Sequence, residues 1–412
     1  MASRLNNSGH LILLLLALTT PITASPTCRR DTLGPLDLTS NYHHPQCTRL
    51  IDDTSLTWTP WTYKPQCAHA QNSTAHYCVY TYDRIPGSTG LSVLATPEIA
   101  SELGSRLHDR DPTWLHPQSQ TYYLRHDGHA PAYVIRDIPG KGKGAIANRT
   151  IHAGELILRE QPVVINLSEL PRGLVPAQVG PMFDLAFAQM PRDDRAKIKG
   201  MARMPGTGNL LNDVQNTNAF GVSLGEKLLS AVAPDIARMN HACRPNVFTR
   251  FQAETLTFEA VAYADIQEGE ELTLSYLPLN LLSEGRKLEI QKWHFNCTCS
   301  LCSSEQANKD SDRNKKRVQE ILDFLQKEEN RTPENGEKMF KELAEIIKVE
   351  RLFAESGNFA SLFAGLYFSM GNFEEATRYA YMAIDNHTQY IGHGSEKVAR
   401  AKKTLELIGT WY

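Results

Sequence analysis

Hydrophobic and polar positions recur with different periods along the chain, and each change of period marks a new part. Residues 11–18 form an unbroken apolar run behind Arg4. Residues 25–117 are rich in Thr, Pro, Tyr and Trp. They show little helical period until Thr96-Pro97-Glu98, an N-cap followed by proline at the first helical position. From Tyr133 the runs shorten. Residues 133–135, 144–147 and 156–159 read as strands separated by Gly and Pro turns, with 151–155 as a connection. Residues 166–229 become more helical, with Pro and Gly breaks, before strand pattern returns at 247–251, 255–262 and 272–276. After Cys302 a charged, helical period predicts helices over 312–329, 333–355 and 359–385.

Short strands followed by long helices predict an α+β fold. A Rossmann domain would require a Gly-rich turn between a strand and a long helix, with an acid roughly twenty residues on. That context is missing here.

A chain of 412 residues allows two or three domains, at roughly 100–200 residues each. With 43 basic and 46 acidic residues the net charge is −3, so no direct binding of nucleic acid is expected. The apolar run, preceded by Arg4 and followed by small residues up to Ala24-Ser25, has the layout of a secretory signal peptide over residues 1–24. It is shorter than the roughly twenty residues a bilayer span takes. No membrane span is therefore expected after cleavage, and the expected location is the secretory pathway or outside the cell. Read instead as an extension wrongly assigned to the chain, the same segment would leave the protein in the nucleus or cytoplasm.

Of eight cysteines, Cys28, Cys47, Cys67 and Cys78 lie together behind that segment and predict two disulfides, with all three pairings open. They mark residues 25–117 as a cysteine-containing module, joined by a linker at 118–131. Trp58, Trp61 and Tyr63 in this module could form a recognition surface; filling a small core is the favoured reading. Sequons at Asn72, Asn148, Asn166, Asn330 and Asn386 add modest support for export.

The densest constellation is Asn240-His241-Ala242-Cys243-Arg244-Pro245-Asn246. About thirty residues later come 269–276, reading Gly-Glu-Glu-Leu-Thr-Leu-Ser-Tyr, and then Cys297-Thr298-Cys299-Ser300-Leu301-Cys302. Together with the earlier Gly142-Lys143-Gly144 this order resembles the SET domain of protein-lysine methyltransferases. It is similar above all to the SET-and-MYND group, in a fungal-type form. The MYND finger itself is missing, because the segment between Glu160 and Asn218 holds no cysteine.

The resemblance implies a β-rich knotted SET core over 132–277, with a helical insert at 166–229. A post-SET zinc motif would follow at 278–304, and a TPR-like helical domain at 305–412, where Gly371-Asn372-Phe373 resembles the turn of one unit. It further implies S-adenosylmethionine as cofactor, held by Gly142, Lys143, Gly144, Asn218, Asn240, His241, Tyr276 and Phe295. Tyr276 would be the catalytic residue, and zinc would be held by Cys243, Cys297, Cys299 and Cys302. The substrate would be a protein with a target lysine, histone or otherwise.

The chemistry agrees with those residue types. A lysine amine has a pKa of about 10.4 and must lose its proton before it can attack a methyl group. An apolar channel favours that loss, and a fixed phenol can orient the neutral amine. Structural zinc takes four ligands, one more than the 297–302 trio supplies. Two readings compete with this one. The second cysteine set could be paired as disulfides in an oxidising compartment, and the chain could be a secreted binding protein that keeps the fold without catalysis.

Overall fold

The computed structural model describes residues 60–70, 74–83, 90–108 and 132–410. The signal-peptide segment, Cys28, Cys47, Trp58 and the 118–131 linker lie outside the described residues. Strands β1 (Gln66–His69), β2 (His76–Tyr82) and β3 (Leu91–Ala95) lead into α1 (Pro97–His108), which starts at the Thr96-Pro97 step. Strand β2 shows why these strands sit centrally. Tyr77 and Val79 enter one core cluster while Cys78 and Tyr80 enter another, so both faces are buried with a period of two. Trp61 is buried and packs on Tyr80 at 5.3 Å, which makes it core.

Next come β4 (Tyr133–Ile138), β5 (Gly142–Ala147), β6 (Leu156–Glu160) and β7 (Val164–Leu167). The β4–β5 turn needs glycine, since Gly140 and Gly142 have φ of 74° and 71°. The segment 166–229 contains the expected helices: α2 (Pro176–Gln189), α3 (Arg192–Lys199) and α4 (Leu210–Asn218). Its two ends, however, are strands. They are β7 on one side and the hairpin of β8 (Phe220–Leu224) and β9 (Lys227–Val232) on the other. Strand β7 is buried on both faces, so it carries an apolar run in place of the alternation that marks a half-exposed strand.

Pairing joins these parts more closely than their composition suggests. The first sheet runs β1-β2-β3-β7-β9-β8, with β3 and β7 parallel. The cysteine-bearing strands and the insert therefore share one sheet. The second sheet is β10 (Asn240–His241), β13 (Glu271–Leu274), β5 and β4; the third is β11 (Val247–Gln252), β12 (Thr257–Ala262) and β6. One core cluster lies among the three sheets, around Tyr80, Ile157, Phe258 and Leu272. A second, with Phe183, Val179 and Leu211, seats the insert helices on the outer face of the first sheet.

Helices complete the chain: α5 (Ser283–Ile290), α6 (Glu305–Gln326), α7 (Pro333–Glu350), α8 (Ser356–Ser369), α9 (Phe373–Tyr390) and α10 (Glu396–Gly409). Side chains of Ser304, Thr332, Asn372 and Ser395 cap α6, α7, α9 and α10. The Ser304 cap starts α6 earlier than the period alone predicts. The helical stretch over 359–385 spans two helices, with the expected turn at Gly371, whose φ of 72° no ordinary residue adopts easily. No helix among the described residues is long and apolar enough to cross a membrane.

The helices hold the β core through Glu350, which is buried. Its carboxylate accepts from Arg244 Nη2 at 2.7 Å, Ser311 Oγ at 2.6 Å and Asn314 Nδ2 at 2.9 Å. Arg351 adds a bond to the Pro245 carbonyl at 2.6 Å. Both contacts fall on the loop that carries Cys243.

Candidate active site and metal centre

Parallel pairing of β10 with β13 aligns Asn240 with Thr273 and His241 with Leu274. Asn246 fixes this register: its Oδ1 accepts from Thr273 N at 2.8 Å and its Nδ2 donates to Glu271 O at 2.9 Å. The Ala242 N–H donates to Leu274 O at 2.8 Å and continues the strand pairing past His241. Just past β13, Tyr276 meets His241. The Tyr276 N–H donates to His241 Nδ1 at 3.0 Å, and the two rings are 5.4 Å apart.

That bond decides the tautomer. A peptide N–H can only donate, so Nδ1 is the acceptor, the ring proton sits on Nε2, and Nε2 points at Cys243 Sγ 3.3 Å away. Burial lowers the His241 pKa to about 4, which keeps the ring neutral. The resemblance implies that Asn240 and His241 together hold the cofactor through backbone and side-chain hydrogen bonds. Both ring nitrogens of His241 face protein groups, which leaves its backbone as the part open to a ligand.

The Tyr276 hydroxyl donates to Met239 O at 3.1 Å. Burial, reinforced by the charge of Glu271, pushes its pKa up to about 12, so the phenol keeps its proton at any physiological pH. Trp293, which the motifs did not single out, stands 5.6 Å from the Tyr276 ring and donates from Nε1 to Thr217 O at 3.1 Å. His294 then turns the chain with φ of 55°, and Phe295 follows, 36% exposed and 6.3 Å from the His241 ring. The Trp-x-Phe spacing was the available signal for Trp293.

Asn240 Nδ2 donates to Lys143 O at 3.3 Å and to Glu271 Oε1 at 2.9 Å, joining the glycine motif to β13. A Cβ on Gly144 would lie 2.7 Å from Asn240 Nδ2 and 2.3 Å from Ile138 Cδ1. The missing side chain at 144 therefore makes room for protein neighbours; Gly142 is the position whose backbone demands glycine. Lys143 is exposed and pairs with Asp137 at 3.2 Å. Asn218, expected to bond the cofactor, is anchored to protein groups through its amide nitrogen. Its Nδ2 donates to Ala202 O at 2.7 Å and Val214 O at 2.8 Å, so the amide closes the end of α4. It adjoins Thr217, whose carbonyl holds Trp293.

The sulfur atoms of Cys243, Cys297, Cys299 and Cys302 all lie within 4.8 Å of one another, and all four thiols are free of disulfides. Cys243 Sγ is 3.9 Å from Cys297 Sγ and 3.4 Å from Cys302 Sγ. Tetrahedral zinc with Zn–S bonds of about 2.3 Å needs sulfurs about 3.8 Å apart, so the donor set fits that ion. Hydrogen bonding among the four thiols pushes Cys299 and Cys302 down, Cys302 to about 7, and Cys243 and Cys297 up, because the cluster shares its protons unequally while no cation neutralises it. The N-terminal set behaves differently. Cys67 and Cys78 form a disulfide between paired positions of β1 and β2.

Residues 142–277, which carry the parallel strand pair, the buried phenol of Tyr276 and Cys243, match the family model described as the SET domain. The chain's relatives are lysine methyltransferases. It is 26% identical over 287 residues to Histone-lysine N-methyltransferase set5 of Schizosaccharomyces pombe, covering 66% of this chain and 83% of that protein. It is 25% identical to mouse Histone-lysine N-methyltransferase Smyd1, over 47% of this chain and 44% of that protein. It is 33% identical to human N-lysine methyltransferase SMYD2, over 26% of this chain and 24% of that protein. The chain thus spans most of the yeast relative and less than half of the two mammalian ones.

Proposed function

We propose that the protein is an S-adenosylmethionine-dependent protein-lysine N-methyltransferase, with Tyr276 as the residue that orients the incoming amine. The observation that carries this reading is the bond from Tyr276 N–H to His241 Nδ1 beside four clustered thiols. When bound, the cofactor supplies an electrophilic methyl group and a positive sulfonium. Asn240, the His241 backbone, the Gly142-Lys143-Gly144 turn, Asn218 and the half-exposed ring of Phe295 would hold it.

The target lysine must arrive neutral. Tyr276 and Trp293 offer an aromatic, poorly hydrated approach that lowers an amine pKa from about 10.4. A phenol that stays protonated serves as an orienting dipole and not as the base, so the proton leaves to solvent before transfer. The gain comes largely from alignment. Zinc on the four cysteines would tie the loop of Cys243 to the segment carrying Trp293 and Phe295, which makes residues 278–304 a post-SET motif. The α8–α9 hairpin around Gly371 supports a TPR-like reading of 305–412, a domain placed to wall a cleft for a histone or non-histone substrate. The Cys67–Cys78 disulfide supports passage through an oxidising compartment; there, bound zinc would keep the quartet from oxidation.

Transfer of a radiolabelled methyl group to a protein extract tests the proposal. Wild-type protein should label lysines and Tyr276→Phe should lose most of that activity; equal labelling by the two would refute the assigned role.

A further inference from the structure

Two cations are buried on the helices that flank the 297–302 cysteine loop. Arg286 of α5 is 3% exposed and Lys315 of α6 is 7% exposed. Both donate to one acceptor, the Leu281 carbonyl, Arg286 Nη1 at 2.8 Å and Lys315 Nζ at 2.9 Å. Like charges that share a carbonyl repel, and burial removes the water that would screen them. The arrangement asks for negative charge close by.

Carboxylates supply only part of it. Asp312 stands 3.7 Å from Arg286 and accepts from Ser283 N at 2.8 Å and Ser283 Oγ at 2.5 Å. Glu350 is paired with Arg244. Lys315 forms no ion pair among the described residues; its one hydrogen bond goes to the Leu281 carbonyl. The other negative groups within reach are the thiols. Arg286 Nη2 donates to Asn308 Oδ1 at 2.6 Å, and Asn308 Nδ2 donates in turn to Leu301 O at 2.9 Å and Cys302 O at 3.4 Å. On the other side Ser311, one helical turn before Lys315, and Asn314, its neighbour, hold the Glu350 carboxylate that pairs with Arg244, next in the chain to Cys243. Lys315 therefore sits between the supports of Cys302 and Cys243. Burial and then Arg286 lower its pKa to about 8, while Glu350, Cys243 and Asp312 oppose the fall, so the ammonium keeps its proton at neutral pH.

We propose that Lys315, backed by Arg286, is the counter-charge of the metal centre. A divalent ion on four thiolates keeps a net double negative charge, and a buried ammonium and guanidinium balance it where carboxylates do not balance them. Through Asn308, Arg286 also orients the backbone of the Cys302 loop. Groups behind the ligands that orient them and tune their charge are worth about 10- to 100-fold in metal affinity. The inference rests on the reading of the quartet as a zinc site and extends it to residues outside the cysteine motif.

Lys315→Met tests it, because methionine keeps the length of the side chain and removes the charge, while Leu281 O retains its bond from Arg286. In competition against a chromophoric chelator, the full-length variant should hold zinc at least about tenfold less tightly than wild type, a difference of 1.4 kcal/mol. The metal-free variant should melt no lower than metal-free wild type, since a repelled buried ammonium has gone. A merely structural lysine would lower both quantities. With cobalt in place of zinc, the thiolate-to-metal charge-transfer band should move to longer wavelength, because the cation that held electrons on sulfur is lost. Lys309→Met, at an exposed position of the same helix, should change none of these. Unchanged zinc affinity in Lys315→Met, an unmoved cobalt band, or a lower melting temperature of its metal-free form would each overturn the proposal alone. Wild type that takes up no zinc would overturn the zinc assignment with it, so the two failures are told apart.

Discussion

Cysteine is used in two ways in this chain, and the contrast explains much of its architecture. Cys67 and Cys78 face each other across adjacent strands with Cα atoms 4.0 Å apart, so strand register alone brings them together. Cys243 meets Cys297 across 54 residues, and only folding of the β core and the segment beyond it assembles their cluster. The first centre acts mainly on the unfolded chain, by closing a short loop. The second sits next to chemistry: through Cys243 it touches His241, and through His241 the backbone of Tyr276. Loss of the local pair should cost stability, whereas loss of the assembled quartet should cost function.

Cys243→Ser tests that division most severely. It should remove zinc, measured by metal analysis, and lower methyl transfer by about 100-fold or more, since displacement of a positioned group by an ångström has that effect. Arg244→Met strikes the support of the same loop from the helical side. It leaves Glu350 buried without its cation and should cost about 3 kcal/mol in denaturant unfolding, the lower end for a broken buried pair because Arg244 is a quarter exposed.

The same carboxylate sets an acid limit. Burial raises the Glu350 pKa, but hydrogen bonds from Ser311, Asn314 and Arg244 outweigh it and hold the group below its ordinary value. An acid with a depressed folded pKa stabilises the fold above its unfolded pKa and loses that contribution as pH falls through the folded value. The helices should therefore loosen below about pH 4, and Glu350→Gln should remove this part of the pH dependence of the melting temperature.

Replacing both Cys67 and Cys78 by Ala should lower stability by about 2–3 kcal/mol, given a separation of 11 residues. Zinc content should not change; if it fell, the two centres would not be independent. Trp293→Phe is the mildest change. It removes the bond to Thr217 while keeping an aromatic ring, and methyl transfer should fall by only about three- to tenfold, the worth of one neutral hydrogen bond.

Residues whose role follows from a dense local motif are legible in the amino-acid sequence itself. Asn240, His241, Tyr276 and the four thiols do converge, because their spacing encodes a strand pair and a tetrahedral donor set. Strand β7 was hidden, since a strand buried on both faces loses its alternation. The union of the cysteine-bearing strands with the insert was hidden too, because pairing between distant strands leaves no periodic trace. Trp293 and Glu350 act on partners 76 and 106 residues away; the Trp-x-Phe spacing marks Trp293 itself, but no local pattern signals which distant group either residue holds. Asn218 and Gly144 carried the expected residue types, but their side-chain space serves neighbouring protein groups.

Calorimetric titration of S-adenosylmethionine into the full chain, before and after zinc is stripped by a chelator, tests the coupling of the two halves of the site directly. Affinity should fall at least about tenfold on chelation, and return with added zinc, because the ion orders the segment that bears Phe295. Tight binding that is indifferent to the metal would contradict the account.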